Sequence, residues 1–161
     1  MNFDLQPTLS NELIKISPLT EDSFDELYAV ASDPLIWEQH PNKNRYQLDV
    51  FKTFFKGAIG SKGAVLVYDL NTHEVIGCSR YYDFDKENNS IIIGYTFISR
   101  DYWGKNYNRS LKKLMFDHAF KFVEKVILHI GATNFRSQKS IEKIGATKIG
   151  ELEVAYYGVP V

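Results

Sequence analysis

Apolar and polar residues alternate in two rhythms along this chain, and each change of rhythm marks an element. After a loosely held lead-in over residues 1–11, Leu13-Ile14-Lys15-Ile16-Ser17 alternates with the period of a strand. Pro18 ends it. Thr20-Glu21-Asp22 then predicts a helix start, a capping hydroxyl followed by acids where the helix dipole is positive. Phe24, Leu27, Tyr28 and Ala31 form the inward face of that helix, and Asp33-Pro34 stops it, because the residue before a proline is pushed out of the helical region. A second helix is expected over 48–59, with Val50, Phe51, Phe54, Phe55 and Ile59 inward and Gly57 or Gly60 as its end. Three strands follow as a meander: 64–68, then 74–84 interrupted by Gly77, then 91–98. The turns between them are Asp69-Leu70-Asn71-Thr72 and Asp85-Lys86-Glu87-Asn88-Asn89.

The rest of the chain is organised around 91–122. Ile91-Ile92-Ile93-Gly94-Tyr95-Thr96-Phe97-Ile98 is β-branched or aromatic but for one glycine, which suits a strand buried on both faces. A polar turn from Ser99 to Asn108 leads into a helix from Arg109. Its apolar residues Leu111, Leu114, Met115, Ala119, Phe122 and Val123 fall at helical spacing, with Lys112, Lys113, Asp117 and Lys121 mostly off the stripe. Val126-Ile127-Leu128-His129-Ile130 reads as a further buried strand. Asn134 to Ser137 opens a short helix that turns Ile141 and Ile144 inward and stops at Gly145, and 147–157 reads as a last strand. Strand, two helices, three antiparallel strands, helix, strand, helix, strand is an α/β order around a mixed sheet, in a single domain over 1–161.

Composition narrows the class. A chain of 161 residues that is 44% hydrophobic and 14% aromatic is long and apolar enough for a substantial core. The sequence holds neither a bilayer-length apolar run nor a signal-peptide pattern, and its single cysteine, Cys78, fits a reducing, cytoplasmic setting. No activating group adjoins Cys78, which reads as a small buried strand residue. The net charge of −1 conceals a division: residues 99–148 hold eleven Lys/Arg against four Asp/Glu, a balance of +7, and the remainder eight against sixteen, a balance of −8. A basic segment built around the turn suits a polyphosphate ligand, and an acidic remainder suits a cationic partner such as an amine. The basic residues are interspersed with apolar helix positions and form no arginine-rich run, which argues against nucleic acid as the partner. No His/Cys/Asp/Glu cluster has metal-ligand spacing.

The turn at 99–108 brings a helix start to the end of a buried strand. Such a start binds anions, because its first N–H groups lack helical partners and the dipole is positive there. Tyr102-Trp103-Gly104-Lys105-Asn106-Tyr107-Asn108 followed by a lysine-rich helix resembles the pyrophosphate-binding loop of the GNAT acetyltransferases, closest to the branch of ribosomal-protein N-terminal acetyltransferases (RimJ/RimL-like). The family usually has a second glycine where Asn106 stands, and asparagine is the non-glycine residue best able to take positive φ. The element order is also that of the GNAT fold, a central, mostly antiparallel mixed sheet flanked by four helices.

The resemblance implies an acetyl-CoA-dependent N-acetyltransferase, without a metal, that acetylates a primary amine on a protein N-terminus or a small molecule. It implies a CoA site made of Trp103, Gly104, Lys105, Asn106, Tyr107, Asn108 and Arg109, with backbone groups of Phe97 and Ile98 holding the pantetheine and the thioester carbonyl. Asn134 and Ser137, with Gly145 eight residues on, match the family's Asn-x-x-Ser…Gly pattern. The asparagine there holds the pantetheine arm, and the serine is the catalytic candidate beside the departing sulfur. Read as residues alone, the same pair is ordinary helix-cap chemistry.

On the acceptor side the resemblance points to the segment around Trp37, Glu38 and His40, although Trp37 equally suits a core cap. The branch often has a glutamate base just before Ile93-Gly94-Tyr95, where this chain has Ile92, so Glu38, His40 and Asp83 stand open as base or substrate contacts. A non-catalytic CoA- or peptide-binding module on the same fold is the alternative function. Relatives usually run on past Tyr156-Tyr157-Gly158 into another strand. With Val161 as the last residue, the edge of the 126–130 strand is expected to stay open, favouring a homodimer or marginal stability.

Overall fold

The structure is a computed structural model, and it describes residues 3–38, 43–128, 155–156 and 159–160. One sheet carries the fold, ordered β1 (Leu9–Ser10), β2 (Ile14–Pro18), β3 (Ala64–Asp69), β4 (Val75–Asp85), β5 (Ser90–Ile98) and β6 (Lys125–Leu128). Neighbours are antiparallel from β1 to β5, whereas β5 and β6 run parallel, with Ser90–Ile93 against Lys125–Leu128. A separate hairpin pairs β7 (Ala155–Tyr156) with β8 (Val159–Pro160). β7 is the described part of the strand expected over 147–157; the helix expected from Asn134 lies outside the described residues.

Helices α1 (Phe24–Ala31) and α2 (Leu48–Ser61) cover one face of the sheet. Their core is aromatic: Phe51, Phe54, Phe55 and Trp37 pack on Leu66, Cys78 and Phe97. Helix α3 (Tyr107–Ala119) covers the other face, where Leu111 and Met115 meet Ile14, Ile16, Val65, Val67, Ile76, Ile91 and Ile93. Tyr81 pins α3 to the sheet, its hydroxyl donating to the Met115 carbonyl at 2.6 Å inside this core.

Several sequence expectations shift. The lead-in is not loose, because Phe3 and Leu5 pack on the α3-side core and β1 hydrogen-bonds β2. Thr20 does not cap through its hydroxyl; Thr20 Oγ1 and Ser23 Oγ bond each other at 3.0 Å, and a 3-10 turn over Glu21–Ser23 precedes α1. Helix α2 passes through both Gly57 and Gly60 to Ser61 and ends where Lys62 turns left-handed. Each glycine costs a helix about 1 kcal/mol, less than burying Phe54, Phe55 and Ala58 returns. Helix α3 starts two residues before Arg109 and ends at Ala119, short of Phe122 and Val123.

The consequential departure is in β5. Cys78 pairs with Phe97 and Arg80 with Gly94, so two steps along β4 match three along β5. The extra residue is accommodated at Tyr95, which has φ of 54°. This bulge reverses the alternation: Ile91 and Ile93 face α3, whereas beyond it Tyr95 and Phe97 face α1 and α2, and Ile98 faces α3.

Candidate functional site

The site forms where β5 ends. Ser99 N–H donates to the Ile76 carbonyl at 2.7 Å, and by the alternation of strand hydrogen bonds this turns the N–H and C=O of Ile98 away from β4. The Ile98 carbonyl accepts from Trp103 Nε1 at 2.9 Å, which folds the following loop back against the strand end. A 3-10 turn spans Arg100–Tyr102, with Trp103 N–H donating to Arg100 O at 3.1 Å, and Arg100 is ion-paired with Asp33 beyond α1.

Gly104 and Asn106 then take φ of 75° and 68°. Both are left-handed, so Asn106 adopts the conformation for which the sequence suggested it. Asn106 is the N-cap of α3, and Ser110 N–H donates to its carbonyl at 2.9 Å as a first helical bond. Gly104, Lys105, Asn106 and Arg109 are exposed, and Trp103, Tyr107 and Asn108 are half-buried. A Cβ at Gly104 would meet no atom within 4 Å, so the turn presents backbone to open space, as an anionic ligand of polyphosphate size requires.

Asp69, which reads in the sequence only as a turn residue, anchors this loop. It is 3% exposed, and its two carboxylate oxygens accept from the Tyr102 and Tyr107 hydroxyls, each at 3.2 Å. The two rings meet edge to face at 4.8 Å. The carboxylate is held in turn by Asn71 N–H and Thr72 Oγ1, both at 3.3 Å. Asp-Leu-Asn-Thr announces the local turn, but nothing local announces two tyrosines arriving from more than thirty positions away.

A polar array lies beneath the bulge. Lys112, buried under α3, donates from Nζ to Thr96 Oγ1 at 2.7 Å, and Thr96 Oγ1 shares a 2.7 Å bond with Ser79 Oγ. Burial pushes the Lys112 ammonium down from 10.5 to about 7. Because an unfolded lysine keeps its proton to about pH 10.4, the unfolded chain binds more protons above pH 7, and stability rises with pH there. Burial pushes the Cys78 thiol up from 9.0 to about 12, which opposes the rise above pH 9. The urea midpoint is therefore expected to climb between pH 7 and 9, and Lys112→Met to flatten the climb; an equal slope in both proteins would refute this.

The acceptor-side candidates scatter. Trp37 is 1% exposed, donates from Nε1 to the Ala31 carbonyl at 2.8 Å, and packs on Phe97 at 5.1 Å. It is a core residue in this structure, in line with the core-cap alternative. Glu38 is exposed just after it. Asp83, exposed with φ of 52°, lines an open cleft of about 1190 Å³ with Ile92, Lys125 and Ile127 at the start of β5, the end opposite the loop. Ile92, where the family branch often has a glutamate, is buried. His40, Asn134 and Ser137 lie outside the described residues. Among the described residues no group of His, Cys, Asp and Glu could hold a metal ion, and no helix is long and apolar enough to cross a membrane.

Residues 14–147 match the family model described as "Acetyltransferase (GNAT) domain". No curated protein sequence matches the chain. Among solved structures the chain is similar to a presumed ribosomal-protein-serine acetyltransferase from Vibrio cholerae, with a TM-score of 0.79 and 15% identity over 99% of this chain and 94% of that one. A GNAT-family acetyltransferase from Bacillus anthracis gives 0.75 and 18% over 89% and 86%. Spermidine N-acetyltransferase from Vibrio cholerae, in complex with CoA and spermine, gives 0.70 and 17% over the same shares, 89% and 86%. At these identities the structural likeness speaks for the fold, an α/β GNAT fold.

Proposed function

The chain belongs to the GNAT acetyltransferase family, and from that premise we propose that it transfers acetyl from acetyl-CoA to a primary amine, on a protein N-terminus or a small molecule. The observation that carries the reading is the left-handed Gly104–Asn106 turn feeding α3 at the end of β5. In this reading the backbone from Gly104 to Arg109 receives the pyrophosphate, with Lys105 and Arg109 adding charge. The side chains of Trp103, Tyr107 and Asn108 shape the turn. Phe97 and Ile98 line the path of the pantetheine with backbone groups, and Asn134 holds its arm.

The amine nitrogen attacks the thioester carbonyl carbon. A C–N bond forms, the C–S bond breaks, the nitrogen gives up one proton and the sulfur leaves as thiolate or takes one. Ser137 is assigned to the sulfur, as donor or proton relay. Glu38 or His40 takes the amine proton, directly or through water, whereas Asp83 lies at the opposite end of β5. With a buried isoleucine at position 92, the protein supplies mainly orientation and polarisation. The same observation favours, as the second reading, a CoA-binding module without turnover.

Thiol release from acetyl-CoA with a panel of peptide N-termini, polyamines and aminoglycosides separates the two. Turnover supports the transferase, and CoA binding without turnover supports the module. Ser137→Ala is expected to lower kcat about 10- to 1000-fold with little change in CoA affinity, because its partner is charge that develops only as the C–S bond breaks. An unchanged kcat with a lowered thermal midpoint would make Ser137 a helix-start residue only.

A further inference from the structure

Arg80 is a buried cation with two of its three guanidinium nitrogens unpartnered. It is 5% exposed, and its Nε and Nη2 have no partner. Its guanidinium lies over the Tyr95 ring at 3.9 Å and reaches the Phe54 ring at 5.5 Å. Those faces attract the cation but accept no in-plane hydrogen bond. Arg45, 2% exposed, also lies over Phe54, at 4.6 Å, and 5.3 Å from Trp37. Asp69 is the single buried carboxylate among the described residues, and it is engaged with the loop tyrosines. Arg80 is thus a buried cation, beside a second one, with two nitrogens that the described residues leave without an acceptor, a deficit that an entering anion relieves.

Which atoms lack partners identifies the anion. Nε–H and the Nη2–H on the same side of the guanidinium form its side-on fork, the edge that binds both oxygens of a carboxylate at once. The position fits the acceptor side. Tyr95, on which Arg80 stacks, and Phe97 lie two residues apart on the face toward α1 and α2, about 7 Å along the strand. That is the reach of a few bonds from the strand end where the acetyl group would lie.

Building on the proposed acetyl transfer, we infer that the acceptor carries a carboxylate close to its amine, as an amino acid does, and that Arg80 binds it side-on through Nε and Nη2. Tyr95 and Phe54 then wall the carbon skeleton, and Arg45 adds long-range attraction. The enclosure of Arg80 favours a small acid over a peptide chain.

The test measures kcat/KM with acetyl-CoA for L-amino acids against their matching amides, in the wild type, Arg80→Gln and Arg80→Lys, with acetyl-CoA affinity followed by calorimetry. The acids are expected to exceed the amides by about 10- to 100-fold in the wild type. Arg80→Gln should remove that preference and Arg80→Lys restore part of it, with acetyl-CoA affinity unchanged. Turnover of amides as fast as acids in the wild type overturns the inference without any variant, as does a preference that persists in Arg80→Gln. Better turnover of peptides than of free amino acids also overturns it. Absence of acetyl-CoA binding would instead overturn the transferase reading itself.

Discussion

Gly77→Ala is expected to destabilise the protein by about 3 kcal/mol and to weaken CoA binding with it. A Cβ at Gly77 would lie 2.0 Å from the carbonyl oxygen of Phe97, 3.0 Å from its carbonyl carbon and 3.1 Å from the Ile98 Cα. All three are backbone atoms, so no side chain can swing aside, and β4 and β5 must part where Gly77 pairs with Ile98. The displaced residues are those assigned to hold the pantetheine, so stability and affinity should fall together. Gly94→Ala is the contrast: its Cβ would meet the Tyr82 ring at 3.1 Å, and a half-buried ring can turn. Urea denaturation and calorimetry on both variants decide it. A Gly77→Ala protein as stable as the wild type would mean that the strands pair less closely than described.

Gly104→Val should do the reverse, sparing stability and removing ligand affinity. Its Cβ would meet nothing within 4 Å, so no packing is lost. The backbone is left-handed at φ of 75°, however, a conformation that costs a β-branched residue about 2 kcal/mol, and the turn relaxes by rotating its N–H groups. The new methyl groups also stand where the phosphates would approach. A loss of CoA affinity on the order of 100-fold is expected, equivalent to about 2.7 kcal/mol, with a thermal midpoint within a few degrees of the wild type. Wild-type affinity should fall as salt rises, since Lys105 and Arg109 are exposed. Gly60→Ala serves as control: it too points into open space, but inside α2, where alanine is the better helix former. Unchanged CoA affinity in Gly104→Val would remove the anion-binding turn from the proposal.

The hydrophobic rhythm alone determined much of this protein. Alternation at 13–17, the apolar runs at 64–68 and 91–98, and the helical stripe from Leu111 to Ala119 became β2, β3, β5 and α3, because burial of one face or both is a property of local spacing. Asn106 was legible as a positive-φ position, because it stands where the family's loop has a glycine and positive φ is a demand on single residues. Tertiary structure decided what single residues cannot express. One extra residue at Tyr95 reversed the facing of β5, placing Phe97 against Trp37 and Thr96 against Lys112. Asp69 became the anchor of a loop more than thirty residues away, and Arg80 came to lie against Tyr95 and Phe54 with Nε and Nη2 unpartnered. Each of these depends on which strands lie side by side and in what register, and a pattern read along one strand carries no information about its neighbour's.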